Sequence, residues 1–329
     1  MATIVVIGGA HIDRKGWLSA PHRPGASNPG HWHTEPGGGA FNAARNLVRL
    51  GHQVSLVAPR GGDAAADLVA RAAEEAGMED CPLTFLDRAT PSYSAILEPD
   101  GNLVTALADM ALYDMVPARR LLSARLRKRL AAADLLLADS NLPETALAAL
   151  ADAACELDLP LAVIAVSPAK VVRWKSSLGK ITCLAMNSAE AAALTGRQAG
   201  TSGAWVSHLA QTGLRGGLIT AGSDPVTAFT TSPQDRDQGR QVITLQPPPL
   251  DQLQDVTGAG DALASGYLDG LLAGGSLQSN LVRGIALARL TTGVCGPVRL
   301  DLSQAMLAQA LEAMPKPSQI QTPMQDSHP

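Results

Sequence analysis

Short aliphatic runs alternate along the 329-residue chain with longer segments in which alanine and leucine recur at helical spacing. TIVVIGG at the start reads as a strand, FNAARNLVRLG as a helix ending on Gly51, QVSLVAP as a second strand, and AAADLVARAAEEAG as a helix stopped by Gly77. The same alternation returns in ADLLLADS, PETALAALADAACELDL, PLAVIAVS, ITCLAMN, SAEAAALTG and GGLITAG. Strand-length runs without polar interruption are those of strands covered on both faces. Their alternation with helices predicts an α/β fold with a parallel, doubly wound sheet between helical layers.

Two regions interrupt this rhythm. Residues 11–35 place Gly, Pro and polar residues at close spacing, and PSYSAILEPDGNLVTALAD reads as two strands joined by a turn at Pro99-Asp100-Gly101. An antiparallel patch on a parallel domain is either a lid or an ordinary edge hairpin. Beyond Gly274 the pattern is helical, through SLQSNLVRGIALARLTTG and DLSQAMLAQALEAM. From Pro315 the chain turns polar and Pro-rich, so residues 315–329 are expected to form a flexible tail behind one domain spanning 1–314.

Composition narrows the classes. Hydrophobic residues make up 46% and charged residues 17%, which suits a globule and not a disordered chain. The net charge of −4 and the fact that the densest basic cluster, RLRKRL, sits at helical spacing argue against nucleic acid as a partner. Cys81, Cys155, Cys183 and Cys295 lie far apart without a C-x-x-C pair, and are read as reduced, mostly buried thiols. The first ten residues lack the basic start of a signal peptide, and no apolar run approaches the ~18 residues of a membrane span. A soluble, cytoplasmic protein without a membrane partner is the expectation.

Candidate chemistry concentrates in QDVTGAGDALASGYLDGLL, residues 254–272. Gly258, Ala259 and Gly260 carry almost no side chain, so their N–H groups could approach an oxyanion at the positive end of the following helix. Asp261 would stand beside that anion, able to take a proton from an attacking hydroxyl. The alternative is an ordinary acidic residue in a first helical turn. His31 and His33 flank Trp32 in the manner of paired metal ligands, but no third ligand is near in sequence.

A second glycine-rich stretch lies over two hundred residues earlier: SNPGHWHTEPGGGAFNAARNLVRLG, with Gly37, Gly38, Ala40, Asn42, Ala44, Gly51 and then Gly61. Together with Asp255, Val256, Gly258, Ala259, Gly260, Asp261, Ser265, Gly266 and Tyr267, it resembles the two signatures of the ribokinase/PfkB family of small-molecule kinases. The resemblance implies a ribokinase-like fold with a small β-lid, formed here by residues near 12–33 and 91–108, and ATP with Mg²⁺ as cofactors. It makes Asp261 the catalytic base and the amides of Gly258, Ala259 and Gly260 the cradle of the transferring phosphoryl group. Asp13, Gly37, Gly38 and Asn42 would hold the acceptor's hydroxyls. Asn187 and Glu190 resemble the family's N-x-x-E, whose glutamate organises Mg²⁺ through water, while Thr220 and Gly222 would approach the nucleotide. Activation by a monovalent cation such as K⁺ and a homodimer paired through the lid are further expectations of the family.

Within it, SNPG, TPSY, ADM, ADSN and VSPAK resemble segments of the branch that phosphorylates the nucleoside pseudouridine. Asn28, Thr90, Ser92, Asp109 and Asn141 are the polar types that could reach a nucleoside there. The implied reaction is transfer of a phosphoryl group from ATP to a 5′-hydroxyl. Another sugar or nucleoside kinase of the family, or a nucleoside-binding relative without catalysis, are the alternatives. Several positions depart from the pattern: His11 replaces the first Asn of the family's Asn-x-Asp, Pro225 removes an N–H from the nucleotide turn, Ile164 stands where the pseudouridine-phosphorylating branch often has an aspartate, and Ala185-Met186 replace a Lys-Pro before Asn187.

Overall fold

A computed structural model describes residues 1–231, 240–250 and 252–314. The expected tail at 315–329 lies outside the described residues. The central sheet has nine strands in the order Arg240–Leu245, Val226–Thr231, Gly216–Thr220, Cys183–Asn187, Leu161–Ile164, Leu135–Asp139, Thr3–Ile7, Gln53–Val57, Glu79–Asp80. The two joins at the Arg240–Leu245 edge are antiparallel and all the others parallel.

The first strand shows why the aliphatic runs lack polar interruption. Ile4 and Val6 belong to a core packed with the helices Gly39–Arg49, Ala259–Leu272 and Leu277–Thr292, whereas Val5 and Ile7 belong to another, with the helix Glu144–Glu156. Successive strand side chains point to opposite faces, and both faces are covered. Helix ends follow the expected chemistry: Asp63 accepts from the Ala66 N–H at the start of Ala64–Ala76, and Gly77 closes that helix with φ of 80°.

Residues 11–37 hold more regular structure than their composition suggests. His11–Leu18 and Gly30–Gly37 are strands, and with Ser92–Leu97 and Leu103–Asp109 they form a separate four-stranded sheet in the order Gly30–Gly37, His11–Leu18, Ser92–Leu97, Leu103–Asp109. The hairpin expected at 91–109 is thus half of a larger sheet standing at the end of the first central strand. The cysteines depart from expectation: only Cys183 is buried, while Cys155 and Cys295 are exposed, since neither falls on a core-facing position.

Candidate active site

The parallel strands Thr3–Ile7, Leu135–Asp139 and Leu161–Ile164 end on one side of the sheet, where the helices Gly39–Arg49 and Ala259–Leu272 also begin. Crevices at the carboxyl ends of such strands are where open α/β sheets bind ligands. Two residues far apart in sequence meet there. Asn42, in the first turn of one helix, donates from Nδ2 to Oδ2 of Asp261, in the first turn of the other, at 2.9 Å.

The orientation of that amide is set from behind. Arg45 Nη2 donates to Asn42 Oδ1 at 2.7 Å and to Pro36 O at 3.1 Å, with the guanidinium over the Phe41 ring. A guanidinium only donates, so the amide oxygen must face it and the NH₂ must face the carboxylate. Burial pushes the Asp261 carboxyl up to about 7. The Asn42 hydrogen bond and the Arg45 charge oppose that rise, and the charges of Asp139 and Glu190 add to it.

The helix mouth beside Asp261 is bare. Gly258 is its N-cap, with φ of 75° and no side-chain cap. The Ala259 N–H turns back to Val256 O at 3.3 Å, while the N–H groups of Gly258 and Gly260 have no protein acceptor among the described residues. A Cβ placed on Gly260 would meet nothing within 4 Å, so this side of the helix opens onto free space.

Facing it are Gly37, Gly38 and Asp13. A Cβ on Gly37 would overlap Asp13 Oδ2, and Gly38, at φ 114°, brings its backbone against Gly9 O and the His11 ring. His11 holds Asp13 in place, its Nε2 lying 3.3 Å from Asp13 Oδ1 and its Nδ1 3.1 Å from Tyr113 Oη. The histidine at this position therefore orients the aspartate from behind.

Asn187 and Glu190 form a capping box on the helix Ser188–Thr195: Glu190 N–H donates to Asn187 Oδ1 at 2.9 Å and Asn187 N–H to Glu190 Oε2 at 2.7 Å. Burial raises the Glu190 carboxyl, against the pull of the Asn187 N–H. Its Oε1 takes no hydrogen bond among the described residues, and no group of three His, Cys, Asp or Glu able to hold a metal occurs among them. One carboxylate oxygen suits an ion that keeps most of its waters. Thr220 ends its strand, and Gly222, at φ 65°, lies in the open turn that Pro225 follows.

The remaining expected residues divide. Asn28 spends its amide on its own loop, accepting from Arg23 N–H at 2.8 Å and donating to Arg23 O and Ala26 O, so its observed role is to close a turn. Thr90 is buried, its hydroxyl donating to Asp63 Oδ1 and accepting from the Gly61 N–H, and its own N–H donating to Asp63 Oδ2. Ser92 and the exposed Asp109 sit opposite each other on the four-stranded sheet. Asn141 is buried, donates to Asp139 Oδ2 at 2.7 Å, and accepts from Lys170 Nζ at 2.6 Å.

Asp139 escaped the sequence reading, although ADSN was singled out for its asparagine. Its fully buried carboxylate accepts from the N–H groups of Gly9 (2.8 Å), Ala40 (3.3 Å) and Asn141 (2.9 Å), as well as from the Asn141 side chain. Through Ala40 it fixes the start of the helix that carries Asn42. The available signal was an aspartate ending a wholly apolar strand.

The model of the pfkB family of carbohydrate kinases matches residues 1–302. Pseudouridine kinase of Escherichia coli (strain K12) is 31% identical over 279 residues, 82% of this chain and 84% of that one. Among solved structures, a carbohydrate kinase from Agrobacterium tumefaciens is 48% identical, with a TM-score of 0.85 over 96% of this chain and 99% of that one. Arabidopsis thaliana ribokinase, complexed with ribose and ATP, shares the fold at 21% identity, with a TM-score of 0.82 over 94% of this chain and 99% of its own. No helix of the described residues is long and apolar enough to cross a membrane.

Proposed function

Because the chain belongs to the pfkB family of carbohydrate kinases, we propose that it transfers the γ-phosphoryl group of ATP to the 5′-hydroxyl of a nucleoside, pseudouridine above all. The observation that carries the phosphoryl-transfer reading is Asp261, held by Asn42 beside an open, side-chain-free helix mouth. The kinship with the E. coli pseudouridine kinase and the segments SNPG, TPSY, ADM, ADSN and VSPAK support the acceptor.

In this reading Asp13, Gly37, Gly38 and Asn42 bind the ribose hydroxyls. Asp261 accepts the proton of the 5′-hydroxyl as its oxygen bonds to the γ-phosphorus and ADP leaves. The free N–H groups of Gly258 and Gly260 receive charge from the phosphoryl oxygens, with the helix dipole behind them. Mg²⁺, held through water by Glu190 beside Asn187, would neutralise the nucleotide's phosphates. Thr220 and Gly222 border the nucleotide. The four-stranded sheet closes over the acceptor and excludes water. Leu103 and Leu107, 58% and 70% exposed on its outermost strand, favour pairing with a second copy.

Initial rates of ADP formation with pseudouridine, uridine, ribose and fructose test the acceptor. Pseudouridine is expected to give the highest kcat/KM; a clear preference for ribose or fructose would assign a free-sugar kinase instead, as the Agrobacterium relative's description allows. Nucleoside binding without ADP formation would make the protein a binder.

The pH profile tests the base. A carboxyl raised to about 7 in the free protein is largely protonated below neutrality, so log(kcat/KM) is expected to climb with unit slope up to about pH 7 and level off above it. A rate already flat from pH 5.5 upward would remove Asp261 from that role.

A further inference from the structure

Among the described residues only two other than glycine have positive φ: Asp158, at 50°, and Val166, at 68°. Asp158 lies just beyond the helix Glu144–Glu156, where a left-handed residue is common and aspartate is tolerated. Val166 has no such excuse. It is the centre of a three-residue turn closed by the Ser167 N–H donating to Ala165 O at 2.8 Å, the rare form of γ-turn with positive φ. A β-branched side chain is among the least suited to it.

The flanks hold the turn in this shape. The Ala165 N–H donates to Ala185 O at 3.0 Å on the neighbouring strand, and Ser167 O accepts from the N–H groups of Lys170 and Val171 at the start of the helix Pro168–Val171. Packing does not account for the valine. Ile164 and Ala165 are 7% and 0% exposed, yet Val166 is 38% exposed. Strain that the surroundings enforce without gaining burial is characteristic of functional positions.

Its location gives it a task. A Cβ built on Gly39 would lie 3.4 Å from Asp261 Oδ1, 3.4 Å from Ile164 Cγ2 and 3.7 Å from Val166 Cγ2. The isopropyl group and the carboxylate thus flank one small space above a glycine backbone.

We propose that Val166 is a positioning residue for the acceptor: its side chain, held out by the strained turn, packs against the apolar carbon that bears the reacting hydroxyl and keeps that hydroxyl against Asp261. This deepens the kinase reading and rests on it. No charge or proton moves at Val166; it acts on geometry alone, where small misplacements cost rate steeply.

The test compares Val166→Gly with Val166→Ala. Glycine relieves the strain fully and alanine only in part, so Val166→Gly is expected to raise Tm by about 2–4 °C and Val166→Ala by distinctly less. Both lose the apolar stop, and both are expected to lower kcat/KM for pseudouridine about tenfold or more, chiefly through kcat, with KM for ATP within about twofold of wild type. A valine that serves only packing would give the opposite pair: Val166→Gly no more stable than wild type, and kcat unchanged. Either result overturns the proposal. If the wild type forms no ADP with pseudouridine, the kinase reading fails separately, and the rise in Tm caused by saturating pseudouridine becomes the readout. Val166→Gly must then lose at least half of that rise, and its full retention, or the absence of any rise in the wild type, sinks the proposal.

Discussion

Asp261→Asn is expected to lower kcat about a hundredfold or more, the usual scale for loss of a general base, while leaving pseudouridine affinity nearly intact. The amide keeps the volume and can still meet Asn42, so binding geometry survives while proton acceptance does not. The same variant carries a stability signature. The carboxyl sits at about 7 in the folded chain, far above the ~3.9 of an unfolded aspartate. Holding that proton favours the fold fully below the unfolded value, and the benefit fades as pH rises through about 7. The substituted amide has nothing to ionise. The variant's Tm is therefore expected to equal the wild type's near pH 4, exceed it at pH 8, and do so by a margin that widens between. Undiminished turnover, or a Tm difference independent of pH, would show that this carboxylate neither reacts nor resists ionisation.

Gly258→Ala and Gly260→Ala are expected to fail in different ways, although the two glycines are two residues apart. At Gly258 the backbone has φ of 75°, and a methyl would overlap the carbonyl oxygen of Pro297, a backbone atom that cannot swing aside. That variant should lose about 2–4 kcal/mol of stability and most of its activity. At Gly260 a methyl meets no protein atom within 4 Å and stands on a helix, where alanine is preferred. Its Tm should hold or rise, yet kcat should fall about a hundredfold, because the methyl occupies the space meant for phosphoryl oxygens. Thermal melts and single-turnover rates on the pair separate scaffold from site. Full activity in Gly260→Ala would place the phosphate elsewhere.

Much of the fold was legible because the central strands are covered on both faces and the helices end on glycines or polar caps, both written in local sequence. Asp261 and Asn42 were legible for the same reason: each opens a helix directly after bare glycines. The strands His11–Leu18 and Gly30–Gly37 were not, because most of their residues are half-buried or exposed and the sheet they form has no continuous apolar face to impose alternation. The strand Val226–Thr231 and the edge strand Arg240–Leu245 went unread beside a polar, Pro-containing stretch. Asn28 and Thr90 look alike as polar residues before a proline, and only the fold shows the bonds each makes within the chain. Asp139 and Val166 were hidden for a deeper reason. One acts through four donors brought from three segments, the other through a dihedral angle, and neither leaves a mark in residue type.

The bond from Asn42 to Asp261 spans 219 positions of chain. On the ribosome, the helix that carries Asn42 emerges early, and the one that carries Asp261 follows much later. A polypeptide interrupted before the helix Ala259–Leu272 thus cannot form this bond, and in the proposed reaction it would lack its proton acceptor.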